Sequence, residues 1–130
     1  MKKLLYPVIF VLFSISCEEN DNENILLNGV WIENSQRMDT LVFNNQGSEG
    51  LFILNREREI RDGYLLPIEC AGPYNYSING DSINLRYGLS SSFESFNYYF
   101  WLDKDNESLE IGNFYEDSLS SNSIFIFRKE

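Results

Sequence analysis

From Tyr74 to Tyr87 the chain alternates with almost no fault. Tyr74, Tyr76 and Ile78 alternate with Asn75, Ser77 and Asn79, and beyond Gly80 the apolar residues Ile83, Leu85 and Tyr87 alternate with Ser82, Asn84 and Arg86. Successive side chains of a strand point to opposite faces, so this period of two puts six apolar side chains on one face and polar ones on the other. Asn79-Gly80 between two such runs is the strongest short-range signal for an antiparallel hairpin. The middle of the chain is therefore committed to a sheet with one dry and one wet face.

The flanking sequence follows the same logic. Asp39 to Asn44 reads as a strand with Leu41 and Phe43 on one face, closed by an Asn44-Asn45-Gln46-Gly47 turn. Leu51 to Leu54 is apolar on both faces. Asn55 to Gly63 alternates charge and ends in Asp62-Gly63, a hairpin signal with room for one helical turn. Tyr64 to Ile68 is a further strand, which Pro67 restricts to an edge or a bulge. Gly88 to Ser95 is a Ser-rich loop, Phe96 to Leu102 an aromatic strand, and Asp103 to Glu107 a turn. Leu109 to Asn113 and Ile124 to Arg128 complete the pattern, with a loop over Tyr115 to Asn122. No stretch holds a 3.6-residue period over ten residues. About eight or nine short strands joined by turns predict an all-β fold, and sequential hairpins favour a small antiparallel up-and-down β-barrel.

The N-terminus has a different character. Lys2 and Lys3 precede an apolar run from Leu4 to Ile15, the layout of a secretory signal, and the run is too short to span a bilayer. Ser16-Cys17 at its end resembles the lipobox of bacterial lipoproteins, which implies lipidation of Cys17 after cleavage. Ser14 departs from the commoner Leu of that pattern. The reading gives a signal peptide over 1–16, a lipidated cysteine and acidic linker over 17–26, and one domain over 27–130. Glu18 to Asn24 carries four acids and no apolar residue, so it is expected to be a disordered tether. Acids directly after the cysteine resemble the surface-export signal of Bacteroidetes lipoproteins. These resemblances imply a lipid-anchored protein of the bacterial cell envelope, at the outer membrane. Without Lys2 and Lys3, eight basic residues face 20 acidic ones, a net charge of −12. Such a surface disfavours nucleic acid.

Leu27-Asn28-Gly29-Val30-Trp31 opens the domain. Gly29-x-Trp31 at the head of the first strand resembles the start of lipocalins and of small bacterial lipocalin-like domains. The resemblance implies a barrel whose Trp31 plugs the closed end beneath a basic residue of the last strand, for which Arg128 is the candidate. It also implies binding of a small apolar ligand at the barrel mouth, with Tyr98, Phe100 and Trp101 as candidate lining. The chain is shorter than a full lipocalin, and its 15% aromatic content is also enough to fill the interior.

Catalytic chemistry has little to stand on. There is no His, which removes the commonest general base and the commonest transition-metal ligand. With Cys17 lipidated, Cys70 is the one thiol left, so no internal disulfide forms; a buried apolar role is expected for it. Asp103, Asp105 and Glu107 alternate as in a hard-cation loop but lack its turn glycine and final bidentate acid, so a solvated turn is expected. Glu116-Asp117 has no carboxylate placed opposite it. Arg56, Arg58 and Arg61 form a basic cluster expected to pair with Glu57 and Glu59. The sequence thus predicts a non-enzymatic binding module without cofactor or metal. Its partners are the membrane, through the anchor, and a small apolar ligand; the alternative is an inhibitor or immunity-type protein that meets a cationic enzyme or toxin. Asp39-Thr40-Leu41, Asp81-Ser82-Ile83 and Asp117-Ser118-Leu119 resemble the O-glycosylation site of exported Bacteroidetes proteins, which makes Thr40, Ser82 and Ser118 candidate attachment points.

Overall fold

The computed structural model describes residues 27–44, 50–115 and 123–130. The expectations for Cys17 and the tether, Glu116-Asp117, Ser118 and the turn at Asn45 to Gly47 lie outside them. Within them are ten strands: β1 (Gly29–Glu33), β2 (Thr40–Phe43), β3 (Gly50–Asn55), β4 (Arg58–Arg61), β5 (Tyr64–Pro67), β6 (Gly72–Asn79), β7 (Ser82–Tyr87), β8 (Phe96–Asp103), β9 (Ser108–Gly112) and β10 (Ile124–Lys129). Eight of them close an antiparallel barrel in the order β1-β10-β9-β8-β7-β6-β3-β2, and β4 pairs only with β5. The protein is a small all-β barrel of up-and-down connectivity, interrupted once where the β4–β5 ribbon leaves between β3 and β6. Closure removes the unpaired edges that an open sheet would expose.

The alternation read from the sequence sets the register. Tyr76 pairs with Leu85 and Ile78 with Ile83, so the apolar face of this hairpin turns inward. In β3 the apolar run resolves into Phe52 and Leu54 inside and Ile53 outside, where it is 42% exposed. Fully buried side chains include Trp31, Phe52, Leu109, Ile111 and Phe127. Each of the aliphatic and phenylalanine side chains among them contributes about 1.5–3 kcal/mol relative to an exposed one.

Two local expectations are corrected. Asn79 pairs with Ser82, so the loop of the β6–β7 hairpin is Gly80-Asp81 rather than Asn79-Gly80. Gly80 has a φ of 62° and Asp81 has none above zero, the pattern of a II′ turn with glycine first. Asn55 to Gly63 holds no helical turn. Arg58 to Arg61 extends as β4, and Asp62-Gly63, both at positive φ, reverses the chain into β5. Pro67 closes β5 at an edge, as its missing N–H requires.

Up-and-down winding sorts the connections between two ends. The β1–β2 turn, the β4–β5 ribbon and the β7–β8 and β9–β10 loops share one end. The β2–β3, β6–β7 and β8–β9 connections share the other with Leu27 and Glu130, whose backbone N–H bonds to Val30 O at 3.0 Å.

Candidate ligand-binding site at the barrel mouth

The end that carries Leu27 is shut. Trp31 is 1% exposed and its indole Nε1 donates to Leu27 O at 2.7 Å. Lys129 Nζ lies 5.5 Å from the centroid of the ring. Arg128 is not the basic partner. Trp31 is paired with Lys129 across β1 and β10, so the side chain of Lys129 shares the inner face and Arg128, one residue away, points outward and is exposed. A one-residue step along a strand always changes face.

The opposite end is open and aromatic. A ladder of rings climbs toward it from the core: Phe43 lies 5.0 Å from Phe52, Phe52 stacks on Tyr74 at 5.2 Å, and Tyr74 meets Tyr87 at 5.0 Å. Phe114, just after β9, turns in over this ladder and packs edge-on against Phe52, Tyr74, Tyr98 and Tyr115. Between Phe114 and the β7–β8 loop a cavity of about 250 Å³ remains. Its inner wall is Tyr74, Leu85, Tyr87, Tyr98 and Phe114, and its rim is Cys70, Ser90, Ser92, Glu94 and Phe96. The interior is filled below the mouth and hollow at it.

The tyrosines of this wall are held differently. Tyr74 Oη donates to Cys70 O at 2.8 Å and Tyr87 Oη to Ala71 O at 2.8 Å, which ties both rings to the segment that leads into β6. Tyr98 comes from β8, across the cavity, and its hydroxyl has no hydrogen-bond partner among the described residues. Burial raises the pKa of Tyr74, Tyr87 and Tyr98 above that of a free phenol, and the charge that Cys70 would carry as a thiolate raises them further. All three stay protonated and neutral near pH 7. Cys70 is exposed at the rim with a φ of 64°, not buried as expected; the chain turns there in left-handed geometry and leaves the thiol at the surface.

Around the mouth two of the three clustered arginines, Arg56 and Arg61, are engaged, while Arg58 is exposed and makes no ion pair with a described residue. Arg56 pairs with Asp39 at 3.4 Å, donates to Glu69 O at 2.8 Å and to Tyr115 O at 3.3 Å, and lies 4.8 Å from the Tyr115 ring centroid. One guanidinium thus clips together three connections at this end. Arg61 pairs with Glu59 at 3.0 Å and Glu69 at 3.3 Å. Of the expected partners only Glu59 is paired, Glu57 makes no ion pair with a described residue, and Asp39 and Glu69 take the other places.

Of the three lining candidates, only Tyr98 reaches the cavity. Phe100 is 3% exposed in the packed core, and Trp101 is 55% exposed on the outer surface. Strand alternation forbids Tyr98, Phe100 and Trp101 from sharing one face. Tyr74, Tyr87 and Phe114 were missed as lining. The first two stand at the far ends of the β6 and β7 alternation, beside the Ser-rich loop, which was the available signal. Thr40 is half-buried on β2, and Ser82 opens β7 with its Oγ donating to Asn79 O at 3.1 Å. Asp103 makes a turn: its carboxylate accepts from the Asn106 side chain and from the backbone of Asn106 and Asp105, and these bonds lower its pKa. No group of three or more acidic or sulfur side chains among the described residues is arranged to hold a metal. No protein-family model, curated protein or solved structure matches the chain.

Proposed function

We propose that the protein is a lipid-anchored envelope lipoprotein whose barrel binds a small apolar molecule at its mouth, without catalysis. The cavity of about 250 Å³ between Phe114 and the β7–β8 loop carries this reading. Five of its ten lining residues are aromatic, and apolar walls with a few placed polar groups are the usual make-up of a small-molecule site. Its size is below the usual range of drug-sized pockets, roughly 300–1,000 Å³, so the ligand is small. Glu94 on the rim and an overall charge of −10 disfavour anions. The charged start, apolar run and Ser16-Cys17 support the anchor, and the resemblance of Gly29-x-Trp31 to lipocalins supports the binding role.

Ethylbenzene titrated into the full-length protein, with saturation-transfer NMR as readout, tests the cavity. Transfer to ethylbenzene is expected from the wild type and not from Leu85→Trp, in which the larger side chain occupies the space. Equal transfer from both places ethylbenzene elsewhere and defeats the reading. Intact mass of the protein purified from its native membrane tests the anchor. A thioether-linked acyl group on Cys17 is expected, and a free thiol there rejects it.

A further inference from the structure

Three tyrosines line the mouth cavity, and the hydroxyls of two of them are already committed. Tyr74 and Tyr87 each give their single proton to a backbone carbonyl at 2.8 Å. A hydroxyl has one proton to donate and lone pairs to spare. Both can still accept a hydrogen bond, but neither has a proton left for a ligand. Tyr98 keeps its own. Its ring is held against Phe114 at 6.0 Å between centroids, and no described group takes its hydroxyl. The other hydroxyls at the site, Ser90 and Ser92, stand on exposed loop residues where water competes for them. Tyr98 is half-buried, so a bond made there is worth more. Among the described side-chain hydroxyls that line the mouth, Tyr98 is thus the half-buried one whose proton is not already given.

We infer that the cavity selects an uncharged, flat apolar molecule carrying one hydrogen-bond acceptor, a carbonyl or ether oxygen, which the Tyr98 hydroxyl holds. This rests on the reading of the mouth as a ligand site and adds the chemistry that the site distinguishes. The rings of Tyr74, Tyr87 and Phe114 supply flat apolar walls, which suit an aromatic body. The walls bind the body of the ligand, and Tyr98 reads the oxygen. A hydrocarbon of the same shape would satisfy the walls and leave the phenol without a partner. Sites that hydrogen-bond a ligand group reject analogues lacking it, because the buried polar atom is then unpaired.

The test compares ethylbenzene with acetophenone, which differ chiefly by the carbonyl, on the full-length protein and on Tyr98→Phe. Tyr99→Phe serves as a control, because Tyr99 lies on the outer face and bonds Glu110 at 3.3 Å. The wild type and the control are expected to bind acetophenone about two- to tenfold more tightly than ethylbenzene, the range of one net hydrogen bond. Tyr98→Phe is expected to abolish that preference while keeping its affinity for ethylbenzene. If the wild type binds both probes equally, or Tyr98→Phe keeps the preference, the inference fails and the cavity reading stands. If neither probe binds the wild type, both fall together.

Discussion

The two ends of the barrel are each decided by single residues. At the shut end Trp31 does two things at once. Its ring fills the barrel and its N–H donates to the Leu27 carbonyl, so that the buried indole nitrogen is satisfied. Lys129 then covers the ring with its ammonium group, an arrangement worth about 0.5–1 kcal/mol at exposed sites and about 2 where water is excluded. Arg128 is one peptide unit away and on the wrong side of the sheet. Lys129→Met is therefore expected to lower the urea midpoint measurably. Arg128→Met is expected to stay within about 0.5 kcal/mol of the wild type, as surface substitutions do. Equal losses from the two substitutions would contradict the assignment of Lys129 to the ring. The same rule of alternate faces governs the mouth, where it admits Tyr98 and excludes Trp101.

Among the elements, the turn joining β1 to β2 carries a charged group placed where few are tolerated. Glu33 ends β1 and is 7% exposed. Burial by itself would raise its pKa. Hydrogen bonds from the Ser35 hydroxyl and from the backbone of Gln36, Ser35 and Arg37 more than offset this, and the net shift is downward from 4.5. The contacts are short: Ser35 N and Oγ reach one carboxylate oxygen at 2.8 and 2.6 Å, and Gln36 N reaches the other at 2.8 Å. A carboxylate whose folded pKa is depressed binds its proton more readily when unfolded. Its contribution to stability is thus fully present above pH 4.5 and is lost as pH falls toward and through the lower folded value. Urea unfolding followed from neutral pH into the acid range is expected to show this loss for the wild type. Glu33→Gln is expected to be less stable at pH 7, by about 1.5–3 kcal/mol if the charged hydrogen bonds are lost, and to have a flatter acid limb. An unchanged slope in that variant would assign the acid loss to other carboxylates.

For the molecule as a whole, most of the architecture was written in the period of two. The alternation of Tyr74 to Tyr87 marked β6 and β7 as a hairpin and gave its inner face, and the turn residues marked nearly every reversal. What escaped was whatever depends on a count of one. Asn79-Gly80 and Gly80-Asp81 are both good turn sequences, and only the closed register of the neighbouring strands selects the second. Arg128 and Lys129 are both basic, and only the pairing with β1 selects the lysine. The site was less legible than the fold. Tyr98 was visible as a candidate, but Phe114 and the Cys70 rim reach the cavity from loops, whose paths carry no periodicity. Arg56 shows the same limit: its partners Asp39, Glu69 and Tyr115 are spread over the chain and meet only once the barrel has closed.

The placement of Leu27 and Glu130 has a practical side. Both lie at the shut end, with the mouth at the other. A bead, a fluorescent fusion or a sensor surface joined to the C-terminus would thus sit behind the barrel and leave the cavity facing the solution. The mouth can be assayed on an immobilised protein without the tether passing in front of it.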